Sequence, residues 1–472
     1  MENQNNNNHF KIAVISGKLG DVDGVSLEAE KWIRVLTGMG HEILTFAGHY
    51  GTALSTIPEE NQVLLDRIRF NSPSQKYYED LLFPHLYMYR HPPILSNGER
   101  KKVLHRLQVE GTDTANILFE QIQEREVDVI VAENTNAMPM TLIGGMAVYK
   151  LATEKKVATI FHHHDFWWER SRFSNNHIEN LLGKIMPPTE PGLEHVVLTS
   201  YAAHILRSLK RVHPQVVPNC ENFDTPVTLD DYNREFRKDL GFRETDILLV
   251  QPTRIVRRKR IEDSLLLTAR LLEKYPDMRD RVHIIISLYQ GDEPDENYVE
   301  QIIELAKQKS IQIHLISDRI AARRGTDRKG RRIFTNRDVL VNADMVLYLP
   351  IWEGFGNALL EAFAARIPVV TTTYLTYKTD IKVMRFDNIE IRDTYDAEGR
   401  LVIPDRAVDE MHYLLTHPVE KKEIADKNFS IAKTEFGMEK LKSLIGSLLE
   451  EYGDEIRASR QRIRKSKKAY SV

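Results

Sequence analysis

The 472-residue sequence has one cysteine, Cys220, and no long apolar run. One cysteine excludes an intrachain disulfide and any metal site built from several cysteines, and it suits a reducing compartment. A membrane-spanning helix needs roughly 18 apolar residues, which no stretch approaches. The Asn-rich start, MENQNNNNHF, lacks the basic-then-apolar layout of a signal peptide. We therefore expect a cytoplasmic protein without a transmembrane segment, in which residues 1–10 form a disordered lead.

An excess of charge of either sign is also missing. The formal net charge of −3 gives no general attraction to nucleic acid or to anionic lipid, so we expect no nucleic-acid partner. The composition, with 42% hydrophobic and 28% charged residues, is that of an ordinary globular protein. The chain is longer than one hydrophobic core normally serves, which predicts two domains.

Short apolar runs alternate with helical patterns, and this alternation occurs twice along the chain. The first series contains KIAVIS, EILTFAG, VDVIVAEN, VATIF and HVVLTS; the second contains DILLVQP, VHIIIS, IQIHLIS, MVLYLP and IPVVTT. Strands alternating with helices indicate a parallel sheet that is covered on both faces. The predicted fold class is therefore α/β, with two Rossmann-like, doubly wound domains facing a cleft.

The domain boundary is expected where Pro, Asn and Asp cluster, near Pro218 to Pro226. We assign residues 11–220 to an N-terminal acceptor domain and residues 221–430 to a C-terminal donor domain. Residues 431–472 are expected to form a helical tail that packs back across the domains. Residues 51–125 fit the alternation poorly, and we interpret them as a mostly helical insertion.

The stretch PIWEGFGNALLEA joins a predicted strand to a predicted helix and carries two acids, Glu353 and Glu361. A helix beginning near Asn357 directs unpaired N–H groups and partial positive charge toward the preceding loop, which suits a diphosphate. Gly354 and Gly356 let a ligand approach the backbone closely. The carboxylates can accept hydrogen bonds from sugar hydroxyls, with Glu361 suited to both hydroxyls of a ribose.

A basic stretch, TRIVRRKRIED, follows the first strand of the second domain. Arg254 and Lys259 are the best candidates for binding phosphate, because Arg can grip two oxygens and Lys supplies a compact charge. We expect Arg257, Arg258 and Arg260 to be solvated.

These stretches together resemble the signature of glycosyltransferase family 4, whose members are retaining enzymes with the GT-B fold. The E-x7-E motif of the family matches Glu353 through Glu361, and its phosphate-binding Arg and Lys match Arg254 and Lys259. DGVSLEAEKWIRVLTGMGHEI resembles the N-terminal Gly loop and helix, and VVPNCENF resembles the interdomain linker. The usual Gly-Gly of the loop is Asp23-Gly24 here.

The resemblance implies a donor site in the second domain, completed by the Gly loop of the first. The nucleobase is expected near Ser317 to Ile320. The predicted donor-binding residues are Gly24, Arg254, Lys259, Ile320, Glu353, Gly354, Phe355, Gly356, Asn357, Ala358 and Glu361.

A third polar stretch, FHHHDFWWERSRF, follows the strand VATIF. In the family a His at this strand end contacts the donor sugar; among His162, His163 and His164 we favour His163 or His164, with Asp165. The acceptor is expected to contact Asp165, Trp168, Glu169 and Arg170. Adjacent residues of an extended chain cannot all face one ion, so we expect no metal site at the three His. Asp21 and Asp23 have a metal-binding spacing, but in the wrong fold context.

The resemblance implies a reaction that needs no protein nucleophile and no obligatory cofactor, with Mg²⁺ at most stimulatory. The predicted catalytic residues are His163, His164, Asp165, Glu353, Arg254 and Lys259. The expected activity is retaining transfer of a hexose, from GDP-mannose or UDP-glucose, to a small sugar or glycerate-type acceptor. The segment from Tyr374 to Ile381 resembles family members that make compatible-solute glycosides. A homodimer is left open.

Four other functions compete with this one. A nucleotide-sugar epimerase or hydrolase of the same fold is the main rival, and a lipid or polysaccharide glycosyltransferase at the membrane surface is another. A dinucleotide-dependent oxidoreductase is disfavoured because SGKLGDVDG lacks G-x-G-x-x-G. A non-catalytic nucleotide-binding protein is disfavoured because the cations and the acids of the donor site are all present.

Overall fold

The structure is a computed structural model that describes residues 9–21, 23–84, 94–225, 228–288 and 297–470. The chain forms two compact units. The first runs to Pro218 and includes the chain from Leu441 onward, and the second is Asn219–Lys440. The expected boundary at residues 220/221 lies two residues from this division. Within the predicted tail, residues 431–440 belong to the second unit, and the chain from Leu441 onward belongs to the first.

The first unit is built on a seven-stranded, fully parallel sheet, as the first series of apolar runs predicts. The order of its strands is β3-β2-β1-β4-β5-β6-β7. The strands are β1 (Lys11–Ser16), β2 (Glu42–Ala47), β3 (Gln62–Leu64), β4 (Val129–Glu133), β5 (Ala158–His163), β6 (Glu194–Val197) and β7 (Gln215–Val216).

Helices connect these strands, as a parallel sheet requires. They are α1 (Gly24–Gly38), α2 (Pro73–Leu82), α3 (Asn97–Glu124), α4 (Leu142–Thr153), α5 (Ser171–Ser174), α6 (Glu179–Ile185) and α7 (Ser200–Lys210). Strands β4 and β5 are buried along their whole length. The polar residues that follow them therefore emerge at one carboxyl edge of the sheet.

The second unit has a six-stranded parallel sheet in the order β10-β9-β8-β13-β14-β15 and a separate two-stranded hairpin. The strands are β8 (Ile247–Gln251), β9 (Val282–Ile286), β10 (Gln312–Leu315), β11 (Gly325–Thr326), β12 (Arg332–Ile333), β13 (Met345–Tyr348), β14 (Val369–Thr372) and β15 (Ile389–Ile391). Its helices are α8 (Phe236–Asp239), α9 (Ile261–Lys274), α10 (Tyr298–Gln308), α11 (Asn336–Val341), α12 (Asn357–Ala364), α13 (Asp405–Thr416) and α14 (Pro418–Phe436).

The end of the chain is helical, in α15 (Met438–Glu451) and α16 (Gly453–Tyr470). Helix α16 packs within the first unit through two contacts. Arg460 forms an ion pair with Asp128 beside β4, and the Ser459 hydroxyl accepts from the amide of Ala158. Among the described residues, no helix is long and apolar enough to cross a membrane.

The segment 51–125 contains α2 and α3, as expected of a mostly helical insertion, and it also supplies β3, which pairs with β2 at the sheet edge. One expectation about the first unit needs correction. Phe10 does not belong to a disordered lead, because it is buried and stacks on His41. Residues 1–8 of the predicted lead and residues 85–93 of the predicted insertion lie outside the described residues.

Candidate active site

In the second unit, the loop between β13 and α12 presents the helix N-terminus that the sequence predicts. Helix α12 begins at Asn357, and its N-cap, Gly356, has φ +124°, a conformation that L side chains rarely adopt. A Cβ at Gly356 would also lie 2.4 Å from the Tyr374 hydroxyl, which donates to the carbonyl of Phe355. Gly356 has no side chain to cap the helix, and the amide of Leu359 donates to the Gly356 carbonyl, so the amides of Asn357 and Ala358 are the ones suited to an anion.

Glu353 lies in this loop, buried and paired with two cations. Arg258 approaches its carboxylate to 2.6 Å, and Lys259 forms a second ion pair with the same oxygen. Burial opposes ionisation of Glu353, but the two cations outweigh it and lower its pKa to about 2. The expectation that Arg258 is solvated is therefore wrong. Arg260 is not solvated either, because it pairs with Asp263 at the start of α9.

Lys259 ends a 3-10 turn, Arg257–Lys259, that directly precedes α9. Burial lowers the pKa of Lys259 to about 8; Glu353 opposes this shift, while Arg258 and Arg254 add to it. Arg254 is half-buried, three residues beyond β8. Arg254 and Lys259 therefore both follow the carboxyl end of β8.

Glu361 lies one turn inside α12 and has a neutral partner. The side-chain amide of Asn336 donates to its carboxylate at 2.8 Å, and the Asn336 carbonyl oxygen accepts from Ser287 at 2.7 Å. In the E-x7-E motif, Glu353 therefore pairs with two cations, and Glu361 accepts from an amide. Ile320, predicted near the nucleobase, is half-buried and bridges to Phe334.

The remaining predicted donor residues occupy varied positions. Phe355 is buried against Phe436, Ala358 is buried, and the Asn357 side chain accepts from Asn219. Gly24 lies in the first unit at the start of α1, where the Asp23 carboxylate accepts from the amides of Val25 and Ser26. This helix N-terminus already has a carboxylate cap, so it is a poorer diphosphate site than α12.

In the first unit, the carboxyl ends of β4 and β5 bring Glu133 together with His162 and His164. The carboxylate of Glu133 contacts Nδ1 of His162 at 2.9 Å and Nε2 of His164 at 2.5 Å. Because an ionised carboxylate only accepts, both imidazoles must donate to it. Burial opposes ionisation, yet the two imidazoles lower the pKa of Glu133 to about 2, and Glu133 raises the pKa of His164 against the effect of burial.

His163 points to the other face of the strand, since successive residues alternate. Its Nε2 lies 3.0 Å from Nδ1 of His195, and both rings are buried. Burial lowers the pKa of His163 well below its ordinary value and that of His195 to about 3. Of the three consecutive His, His164 alone is only partly buried.

The four predicted acceptor residues follow directly. Asp165 is buried and pairs with Arg170, whose Nε approaches it to 2.8 Å. Glu169 accepts from the amide of Phe166, and burial raises the pKa of Glu169 to about 7. Trp168 stacks on Phe166 with ring centroids 4.6 Å apart. One face of this indole is therefore used in packing.

Glu133, His162 and His164 are also the described residues whose ligand atoms lie close enough, within 4.8 Å, to hold a metal ion. Two imidazoles and a carboxylate suit Zn²⁺. However, Nε2 of His162 is buried without a hydrogen-bond partner, whereas a metal-bound imidazole normally donates its second N–H to an acceptor. The donor set fits a hydrogen-bonded network better than a metal centre.

Sequence reasoning missed Glu133, Arg258 and Asn336. Glu133 had a detectable signal, because it ends a strand predicted beside VATIF, and neighbouring strand ends meet at one sheet edge. Arg258 and Asn336 had no such signal. Arg258 is one of several adjacent basic residues, and a single Asn near the start of a helix is common on any protein surface.

Comparison with known proteins agrees with this geometry. The family described as "Glycosyl transferases group 1" matches residues 233–382, which include Arg254, Lys259, Glu353 and Glu361. Mannosylglucosylglycerate synthase of Thermotoga maritima is 32% identical over 92% of this chain and 99% of its own. The enzyme of the same name from Petrotoga mobilis is 28% identical over 91% and 99%.

Solved structures share the fold at low sequence identity. WaaG, a glycosyltransferase involved in lipopolysaccharide biosynthesis, aligns with a TM-score of 0.57 at 14% identity, over 93% of this chain and 99% of its own. Anabaena Alr3699/HepE, in complex with UDP and glucose, aligns with a TM-score of 0.59 at 13% identity, over 94% and 100%. The chain therefore belongs to the group 1 glycosyltransferases, in the family of the mannosylglucosylglycerate synthases, and is a hexosyltransferase with the GT-B fold.

Proposed function

We propose that the protein transfers a hexose, with retention of anomeric configuration, from a nucleotide-diphosphate sugar to a hydroxyl of a small sugar or glycerate-type acceptor. GDP-mannose is the favoured donor and UDP-glucose the alternative. The observation that carries the proposal is the cluster of Arg258, Lys259 and Glu353 beside the uncapped N-terminus of α12. Cations and a helix terminus suit a diphosphate, while the carboxylate suits the sugar attached to it.

The relatives support the choice of substrates. Their name describes a product that contains mannosyl, glucosyl and glycerate parts. A mannosyl donor and a glucosylglycerate-type acceptor are the simplest pair that gives such a product. UDP-glucose is kept because Alr3699/HepE has also been solved in complex with it.

The proposed reaction requires positioning and charge stabilisation rather than a protein nucleophile. The acceptor oxygen bonds to the anomeric carbon on the face from which the diphosphate oxygen departs, and the acceptor proton passes to the leaving phosphate. Arg254, Lys259 and the α12 N-terminus stabilise the negative charge that grows on this group. Glu353 and His164 orient the donor sugar, and we favour His164 over His163 because His163 is buried against His195.

A panel of nucleotide sugars tests the proposal. Each donor is mixed with glucosylglycerate, glycerate or water, and proton NMR identifies the product and its anomer. We expect transfer from GDP-mannose to glucosylglycerate with the anomeric configuration unchanged. An inverted product would reject the same-face reaction. Hydrolysis or epimerisation without transfer would favour the rival activities, and transfer only to lipid or polysaccharide would favour the membrane-surface enzyme.

The same assay tests the proposal that no divalent metal is obligatory. We expect transfer to persist in excess EDTA, because cations and a helix terminus already serve the leaving group. Complete loss in EDTA, restored by Mg²⁺ or Mn²⁺, would reject this part. Modest stimulation by Mg²⁺ agrees with it, since the ion can assist a diphosphate from solution.

A further inference from the structure

The strand-end network of the first unit contains a buried carboxylate, Glu133, that the proposed reaction does not use. Its side chain is 1% exposed, and both of its oxygens are engaged by imidazoles. A carboxylate so placed is costly unless its hydrogen bonds are satisfied. Glu133 joins a buried imidazole, His162, to a partly exposed one, His164.

The geometry fixes the orientation of the His164 ring. Its Nε2 donates to Glu133, and its backbone amide donates to Asn134 Oδ1 at 3.2 Å. A ring that uses Nε2 in this way has Nδ1 left for a ligand. On the other side, His162 holds the second oxygen of Glu133 and packs on Trp32 of α1, with ring centroids 4.4 Å apart. The carboxylate therefore cannot turn away from His164 without breaking the contact with His162.

We propose that Glu133 is a positioning residue for hexose transfer, which holds His164 with Nε2 inward and Nδ1 directed to the donor sugar. The inference rests on the proposed function and extends it to a residue on the neighbouring strand. Glu133 does not touch the substrate. It acts by keeping one ring orientation and one hydrogen-bonding pattern at His164, so the ring does not have to reorganise during the reaction.

The charges around His164 agree with this role. The acids that face it are Glu133 on β4, Glu28 on α1 and the neighbouring Asp165, and His162 is the nearby base. All three acids favour the protonated ring, whose Nδ1–H can donate to a sugar hydroxyl. Glu133 has the largest favourable effect of the three.

The test is Glu133→Gln in the full-length protein, because an amide keeps the shape but removes the charge and one acceptor. We expect kcat for transfer to fall about 10- to 100-fold. Affinity for the free nucleoside diphosphate should be unchanged, because its predicted ligands Arg254, Lys259 and Glu361 lie in the second unit. The alkaline limb of the kcat profile should move to lower pH, since a negative charge beside His164 has been removed.

Asp128→Asn is the matched control. Asp128 is also a buried carboxylate. It directly precedes the first residue of β4, at the end of the strand opposite to Glu133, and it pairs with Arg460. This variant should lower the melting temperature and leave kcat and the pH profile unchanged. Unchanged kcat in Glu133→Gln would overturn the proposal. A loss of kcat in both variants that follows the decrease in their melting temperatures would also overturn the proposal, because a structural role alone gives that result.

The imidazole ¹⁵N signals of the wild type give a measurement that needs neither a variant nor activity. His164, assigned by its absence in His164→Gln, should show Nε2 protonated and in a persistent hydrogen bond. Averaging between tautomers would overturn the proposal whatever the kinetics. If the wild type transfers no sugar from any donor, the proposed function has failed instead, and these signals alone decide whether Glu133 fixes the ring.

Discussion

The two units each place a buried carboxylate at the carboxyl edge of a parallel sheet, and each carboxylate holds two basic side chains. In the first unit Glu133 holds the imidazoles of His162 and His164. In the second unit Glu353 holds Arg258 and Lys259. The pKa of each carboxyl is lowered to about 2 against the effect of burial. The two arrangements differ in the bases that surround the acid and in how they are held, since the imidazoles engage both oxygens of Glu133 and the two cations share one oxygen of Glu353.

That difference separates two kinds of work. Guanidinium and ammonium groups are strong cations that bind phosphate oxygens, so the second unit can bind a diphosphate. An imidazole gains or loses its proton near neutral pH, and it donates or accepts through either nitrogen. The first unit is therefore suited to recognising hydroxyl groups. A diphosphate bound by Lys259 would also compete with Glu353 for that cation.

The largest effect is expected from Glu353→Gln. We expect kcat for transfer to fall about 100- to 1,000-fold, because a group that orients the reacting sugar is weakened. Affinity for the nucleoside diphosphate should stay within about twofold of wild type or become tighter, because Lys259 and Arg258 no longer pair with a carboxylate. Steady-state kinetics and calorimetry measure the two quantities. A loss of diphosphate affinity as large as the loss of kcat would contradict this division of roles.

Much of the fold was predictable because the buried strands are long enough to show a pattern. The apolar run that contains β13 and the start of α12 at Asn357 were both predicted and are confirmed. Strands β3, β7 and β15 have three, two and three residues. So few residues show no periodicity, and their pairing is decided by the neighbouring strand. The sequence alone therefore could not reveal these edge strands.

The candidate site was predictable as far as residue types go, but the pairing of its charges was not. Arg254, Lys259, Glu353 and Glu361 are in the positions that the motif implies, and their roles stay predictions. The sequence does not show that Arg258 reaches Glu353, because that contact depends on how the turn after β8 lies against the loop after β13. For the same reason, three adjacent His do not reveal that the first and third share Glu133 while the second turns to His195.

The next largest effect is expected from Lys259→Ala. Loss of a charge-assisted contact costs about 1.5–3 kcal/mol, so affinity for the nucleoside diphosphate should fall roughly 10- to 150-fold by calorimetry. Arg257→Ala is the control, because this substitution removes the same charge from the same turn. Arg257 is exposed and contacts Gln301. Equal losses in both variants would show that the turn acts by net charge rather than by a specific contact at Lys259.

A smaller effect is expected from pH. Because the pKa of Lys259 is about 8, the Lys259 amine is charged in most molecules at pH 7 and neutral in most molecules at pH 9. Bound phosphate favours the charged form, so binding above pH 8 should take up a proton, and affinity should fall by up to about tenfold from pH 7 to pH 9. Lys259→Arg stays charged throughout and should remove the decline. A parallel decline in this variant would assign the titration to another group.

The smallest effect is expected at the second acid of the motif. Glu361 accepts from the neutral amide of Asn336, and its carboxylate is predicted to accept from the two hydroxyls of a ribose. Glu361→Gln keeps the size of the side chain and weakens these hydrogen bonds by about 1 kcal/mol. Affinity for the nucleoside diphosphate should therefore fall about fivefold by calorimetry.

Inorganic pyrophosphate separates the ribose from the phosphates in this test. It has no ribose, so its affinity should be unchanged in Glu361→Gln and should fall in Lys259→Ala. Glu353→Gln should leave pyrophosphate affinity intact or increase it, because it releases cations. If Glu361→Gln weakened pyrophosphate as much as the nucleotide, Glu361 would act through the N-terminus of α12. The two acids of the motif would then both serve the phosphates, and the contrast between an acid held by cations and one held by an amide would carry no functional meaning.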